Sequence, residues 1–206
     1  MDSGRVEAFS DGVFAIAITL LVLDLRVSGE GPLLQQLLHA WPHYFAYVVS
    51  FLTIGIMWMN HHTILAHVKR VDRPLLVLNL LLLMGIVAIP FPTTLVAEHL
   101  TGPDGTVATV TYGLVMIVIS AGFAALWVYV VTHGPSLGAA VPPGALRQSV
   151  PGFTLGGAVY AAGTLIAAFW SPVAGLIIFG GLAVYYLFEH LPSPAKEPAA
   201  GRPPAG

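Results

Sequence analysis

The chain has 206 residues, of which 56% are hydrophobic and 9% charged, with a net charge of −2 and no cysteine. A soluble domain carries about 25% charged residues, so a water-surrounded globule is excluded and a bilayer is the expected solvent. The missing cysteines exclude disulfides, thiolate catalysis and iron–sulfur ligation, and no basic cluster is large enough for a nucleic-acid backbone.

Spanning a bilayer takes about 20 mostly apolar residues, and six segments qualify in chain order: residues 5–25, 41–66, 75–97, 107–131, 149–169 and 172–188. Lipid-exposed irregular backbone is not tolerated and the alternation of a barrel strand is absent, so the predicted fold class is an all-α membrane bundle. No cleavable signal peptide is expected, because Asp11 interrupts the place of its apolar core. Between the first two segments, residues 33–38 read as a small interfacial helix after the turn residues Gly29, Gly31 and Pro32. Pro90 and Pro92 break the third segment, and the Gly- and Pro-rich stretch 132–147 is expected to be irregular. Residues 1–190 form the predicted transmembrane domain. Residues 191–206 lack apolar content to bury and read as a disordered tail.

Orientation follows from the cations. With the N-terminus cytoplasmic, Arg5, Lys69, Arg70, Arg73, Arg147, Lys196 and Arg202 lie inside and Arg26 alone lies outside. Such a bias places both termini on the cytoplasmic side.

The first segment opens on Arg-Val-Glu-Ala-Phe-Ser-Asp-Gly and runs into Val-Phe-Ala-Ile-Ala-Ile-Thr-Leu-Leu-Val-Leu. Ionised groups at the head of a membrane helix are expensive unless partners or water meet them. At about 100° per residue, Phe9, Gly12, Ile16, Leu20 and Leu23 fall within about 40° of one line, with Thr19 flanking and Asp11 nearly opposite. Asp11 has no good partner in its own helix, and Glu7, four residues away, repels it. Depth supplies candidate partners: Trp58, Asn60, His61 and His62 in the second segment and Asn79 in the third share Asp11's layer. Two readings of this cluster stand, hydrogen-bonded glue between helices or a proton relay through Asp11, His61 and His62. A metal or haem site is not expected, since adjacent histidines on a helix point about 100° apart. The aliphatic stripe likewise reads either as core or lipid contact or as the lining of a pore.

The Arg5-x-x-x-Phe9-Ser10-Asp11 head, the Gly-Val-Phe-Ala-Ile-Ala-Ile-Thr run and Trp58-x-Asn60-His61-His62 resemble prokaryotic members of the transmembrane protein 175 potassium channel family. The resemblance covers the six-helix layout. It implies a homotetramer in the bacterial plasma membrane whose four copies of helix one line a central pore, with no cofactor and potassium as the permeant ion. The family's pore-facing positions fall on Ile16, Leu20 and Leu23, with Thr19 near the narrowest part. Arg5, Phe9, Ser10 and Asp11 carry over as the signature that packs helix one against its neighbours, supported by Trp58, His61 and Asn79. Neither the family nor this sequence has a Thr-Val-Gly-Tyr-Gly carbonyl filter.

A ring of aliphatic side chains gives a cation no oxygens and gates by dewetting, so only modest selectivity is expected. Asp24 reads either as an outer-mouth ring of negative charge or as a solvated helix-end carboxylate. The alternatives to a potassium channel are a proton channel or proton-coupled transporter, and a non-conducting assembly protein. No nucleophile–base pair, metal box or phosphate loop supports an enzyme.

Overall fold

The computed structural model describes residues 3–27, 31–139 and 144–188, with backbone only at 145–154. The fold is all-helical, as the composition predicts. Helix α1 spans Ser3–Leu20 and tightens into a 3₁₀ turn at Leu21–Asp24. The short α2, Leu33–His39, follows Pro32 and stands where the interfacial helix is expected. Helices α3 (Trp41–Ala66), α4 (Arg73–Val87), α5 (Pro90–His99) and α6 (Gly105–Thr132) come next, then α7 (Gly134–Leu137), α8 (Ala145–Phe169) and α9 (Pro172–Phe188).

Among the described residues, four stretches are long and apolar enough to cross a membrane: Ser3–Asp24, Trp41–Ala66, Arg73–His99 and Gly105–Thr132. Leu155–Phe169 and Pro172–Phe188 are shorter apolar helices. The third crossing is two helices, because Pro90 and Pro92 bring no N–H to continue the ladder of α4. The stretch 132–147 departs from the irregular loop expected of it. Pro135 fits the first turn of α7, Gly138 ends that helix at a left-handed φ of 62°, and α8 already begins at Ala145. The predicted tail, 191–206, and the turn glycine Gly29 lie outside the described residues.

Helix α1 rests against α3 and α4, α3 against α5 and α9, and α6 against α4, α5, α8 and α9. The core is tightest where α6, α8 and α9 meet. Tyr112 and Phe179, both buried, stack with ring centroids 5.6 Å apart, and a Cβ at Gly113 would press on the Thr164 hydroxyl. Small residues allow such close helix approach inside a bilayer, where association rests on van der Waals contact. Gly113→Ala is therefore expected to cost about 1–2 kcal/mol through overpacking, read as a lower melting temperature in detergent. An unchanged melt would show that Thr164 gives way freely.

A second polar knot joins three helices in this core. The Ser50 hydroxyl lies 2.8 Å from Thr93 Oγ1 and 3.1 Å from the Tyr112 hydroxyl. It ties α3 to α5 beside the proline break and to α6.

At the α3–α4 turn, Asp72 caps α4: its Oδ1 accepts the Leu75 amide at 3.0 Å, and its Oδ2 accepts the Tyr129 hydroxyl at 2.6 Å. Burial alone would raise this carboxyl, but the Tyr129 and Leu75 donors hold it below the usual carboxylate range. A carboxylate lowered on folding lends stability that is complete above its unfolded value and fades as pH falls through the folded one. Between about pH 5 and 3 the wild type should therefore lose stability that Asp72→Asn never had. Parallel pH profiles of the two melting temperatures would remove this role from Asp72.

Candidate functional site

The two sides of α1 differ sharply. On one side Ser10, Asn79 and His61 are 0%, 2% and 0% exposed. His61 Nε2–H donates to Asn79 Oδ1 at 2.7 Å, Asn79 Nδ2 donates to Ser10 Oγ at 3.1 Å, and the Ser10 hydroxyl donates to the Val6 carbonyl at 2.8 Å. Three helices, α3, α4 and α1, are thus tied by one directional chain. The amide orientation of Asn79 fixes the tautomer of His61. His61 Nδ1 is left buried without a partner, and the Phe14 ring lies against the imidazole at 5.3 Å.

One helical turn around, Trp58 Nε1 donates to Asp11 Oδ1 at 2.8 Å, so the carboxylate with no partner in α1 finds one on α3. His62 Nδ1 meets Glu7 Oε1 at 2.6 Å. Glu7 and Asp11 stand four apart on α1, Trp58 and His62 four apart on α3, and the two pairs meet rung by rung. The sequence reading missed Glu7 as a partner. The matching four-residue spacing on the two helices was the signal that could have found it.

Of the residues expected in this layer or in the helix-one signature, the structure bonds Ser10, Asp11, Trp58, His61, His62 and Asn79 in three separate sets. Asn60 is half-buried and lies off these chains, and Arg5 and Phe9 are exposed. Asp11, His61 and His62 form no continuous wire: each is engaged by a different partner. Among the described residues no three His, Cys, Asp or Glu side chains gather as a metal-ligand set.

The other side of α1 is bare. Phe9, Ile16, Leu20 and Leu23 are 56%, 59%, 39% and 62% exposed, and Gly12 and Thr19 beside them are exposed too. The Thr19 hydroxyl donates within its own helix, with the Ala15 and Ile16 carbonyls at 2.8 and 3.0 Å. Its oxygen lone pairs are thereby left outward. At the far end Asp24 is half-buried, and His43 Nδ1 sits 2.9 Å from its backbone carbonyl.

Comparison with known proteins places this arrangement. Residues 5–90 match the family described as "Endosomal/lysosomal potassium channel TMEM175". The chain is 48% identical over 203 residues to a potassium channel of Streptomyces collinus, covering 97% of this chain and 98% of that one. It superposes on the crystal structure of a lysosomal potassium-selective channel TMEM175 homolog from Chamaesiphon minutus with a TM-score of 0.78 at 36% identity, covering 90% of this chain and 96% of that one. It is also 36% identical over 141 residues to the endosomal/lysosomal proton channel TMEM175 of Gallus gallus, of which the match spans 28%.

The family match and these relatives, with several apolar helices of membrane length, make this a multi-pass, all-helical membrane protein of the ion-channel class, not an enzyme. Within that class the chain belongs to the TMEM175 family.

Proposed function

We propose that the chain forms a potassium channel, modestly selective over sodium, in which four copies bring α1 around a common axis in the bacterial plasma membrane. The observation that carries this reading is the bare stripe on α1. Glu7, Ser10 and Asp11 are turned to partners on α3 and α4, while Ile16, Leu20 and Leu23 are left exposed in their own subunit. Each subunit crosses six times, through Ser3–Asp24, Trp41–Ala66, Arg73–His99, Gly105–Thr132, α8 and α9. Both termini are cytoplasmic. Arg5 and Phe9, exposed in one subunit, pack against the next copy.

Three rings of four branched side chains, from Ile16, Leu20 and Leu23, form a constriction that excludes water until it widens. A cation that passes sheds part of its hydration shell, and potassium does so at lower cost than sodium. Four Thr19 oxygens, their hydrogens held by the helix, supply a few dipoles to the passing ion. Four Asp24 carboxylates at the outer mouth raise the local cation concentration. No cofactor takes part.

Reversal potentials of the purified protein in planar bilayers, under graded potassium, sodium and pH, test this. Potentials that follow potassium more than sodium are expected; potentials that track pH alone would replace the reading with proton conduction. The name of the Gallus gallus relative favours that second reading, in which water would have to join Asp11, His61 and His62, held in separate sets in the subunit.

The ladder on α1 makes a separate prediction. Asp11→Ala strands the Trp58 indole N–H and should lower the tetramer fraction in native mass spectrometry, while tetramers that form keep their selectivity. A well-assembled variant with altered selectivity would place Asp11 in the permeation path instead.

A further inference from the structure

The turn between α3 and α4 is pinned to the α7 corner and carries three cations. The backbone amides of Lys69 and Arg70 both donate to the Leu137 carbonyl, at 3.1 and 3.0 Å. Gly138 lies so near that a Cβ there would stand 3.3 Å from the Lys69 Cβ. Asp72, the acidic residue of the turn, spends both carboxylate oxygens inward on Leu75 and Tyr129. Lys69, Arg70 and Arg73 are exposed, and among the described residues none meets a carboxylate at ion-pair distance.

Below Arg73 runs an apolar stripe. Val77, Leu80 and Met84 follow it at helical spacing within about 40° of one line, and all are exposed, as are the flanking Leu81 and Val87. Three cations therefore head a strip of hydrocarbon surface that descends the length of α4.

We infer that this corner binds one anionic phospholipid, its phosphodiester held by Lys69, Arg70 and Arg73 and an acyl chain laid along Val77, Leu80 and Met84. Charge selects the headgroup: a zwitterionic lipid carries its own cation, whereas three unpaired cations favour a net-negative phosphate. The stripe selects a lipid over a soluble phosphate, which would leave that surface unused. A lipid seated here bridges α4 to the end of α3 and to the α7 corner. The inference rests on the bilayer placement of α4 and not on conduction.

Native mass spectrometry of the intact oligomer, with equal amounts of phosphatidylglycerol and phosphatidylcholine of matched chains, tests it. The wild type should retain phosphatidylglycerol about tenfold or more over phosphatidylcholine, and the triple variant K69Q/R70Q/R73Q should bring that ratio near one. Arg26→Gln, at the opposite end, should leave it unchanged, and R70K/R73K, which keeps the charge, should preserve most of it. Leu80→Gln leaves the cations in place and should lower phosphatidylglycerol retention severalfold. Equal retention of the two lipids by the wild type, an unaltered ratio in the triple variant, or no effect of Leu80→Gln would each overturn the site. So would displacement of the lipid by glycerol phosphate, which would mark a soluble anion, or an oligomer carrying no lipid because a neighbouring subunit covers α4.

Discussion

Ile16→Asn raises unitary conductance by one to two orders of magnitude and erodes potassium over sodium selectivity, and Leu20→Ala does the same more weakly. The barrier in a dewetted constriction is the cost of stripping water from an ion among side chains that return no hydrogen bonds. Four asparagine amides return several, and lowering the barrier by about 1.4–2.8 kcal/mol raises passage by about ten- to a hundredfold. Leu20→Ala adds no polar group and acts by width alone. Neither change should cost the subunit much stability, because both side chains are exposed in it and surface substitutions usually stay within about 0.5 kcal/mol. Single-channel recordings check the first effect and bi-ionic reversal potentials the second. Currents unchanged in both variants would remove the stripe from the ion path.

Hydropathy and proline placement carried most of the fold. Every apolar segment read from composition is helical, and Pro90 and Pro92 marked the break between α4 and α5. The small helix after Pro32 was legible in the Leu-Leu-Gln-Gln-Leu-Leu run that follows the turn residues Gly31 and Pro32. Helix α7 was not: its turn depends on the Leu137 carbonyl meeting the Lys69 and Arg70 amides, a contact 67 to 68 residues distant in sequence. Matching depth put Asp11, Trp58, His61, His62 and Asn79 in one layer, yet depth is a single coordinate and could not say which nitrogen meets which oxygen. The same limit hid Glu7. Judged within α1 it repels Asp11, and only the rotation of α3 about its axis brings His62 against it. Arg5 and Phe9 mark a different boundary. One chain leaves them exposed, and only in the proposed tetramer would a neighbouring copy meet them.

Asn79→Leu is expected to be the most damaging single change in the layer that holds α1. It deletes the acceptor of His61 Nε2–H and the donor to Ser10. The two losses are unequal. Ser10 keeps its bond to the Val6 carbonyl, whereas His61, already without a partner at Nδ1, would have neither ring nitrogen satisfied inside the bundle. A hydrogen bond between membrane helices is worth about 0.6 kcal/mol on average and up to about 1.7, while an orphaned buried polar group costs about 1–3, so desolvation of the imidazole dominates. The sum is about 2–3 kcal/mol, which at roughly 2–4 °C per kcal/mol for a chain of this size lowers the melting temperature by about 4–12 °C. If desolvation governs, removing the imidazole as well should recover much of the loss. The double variant H61F/N79L should therefore melt above N79L alone, although it lacks more native bonds, with a coupling energy of about 1 kcal/mol or more. Additive losses would mean that the chain stabilises through its bonds one by one, and that the unpaired His61 nitrogen is met by water. The comparison separates those two accounts of how α1 is held in place while its opposite face stays free.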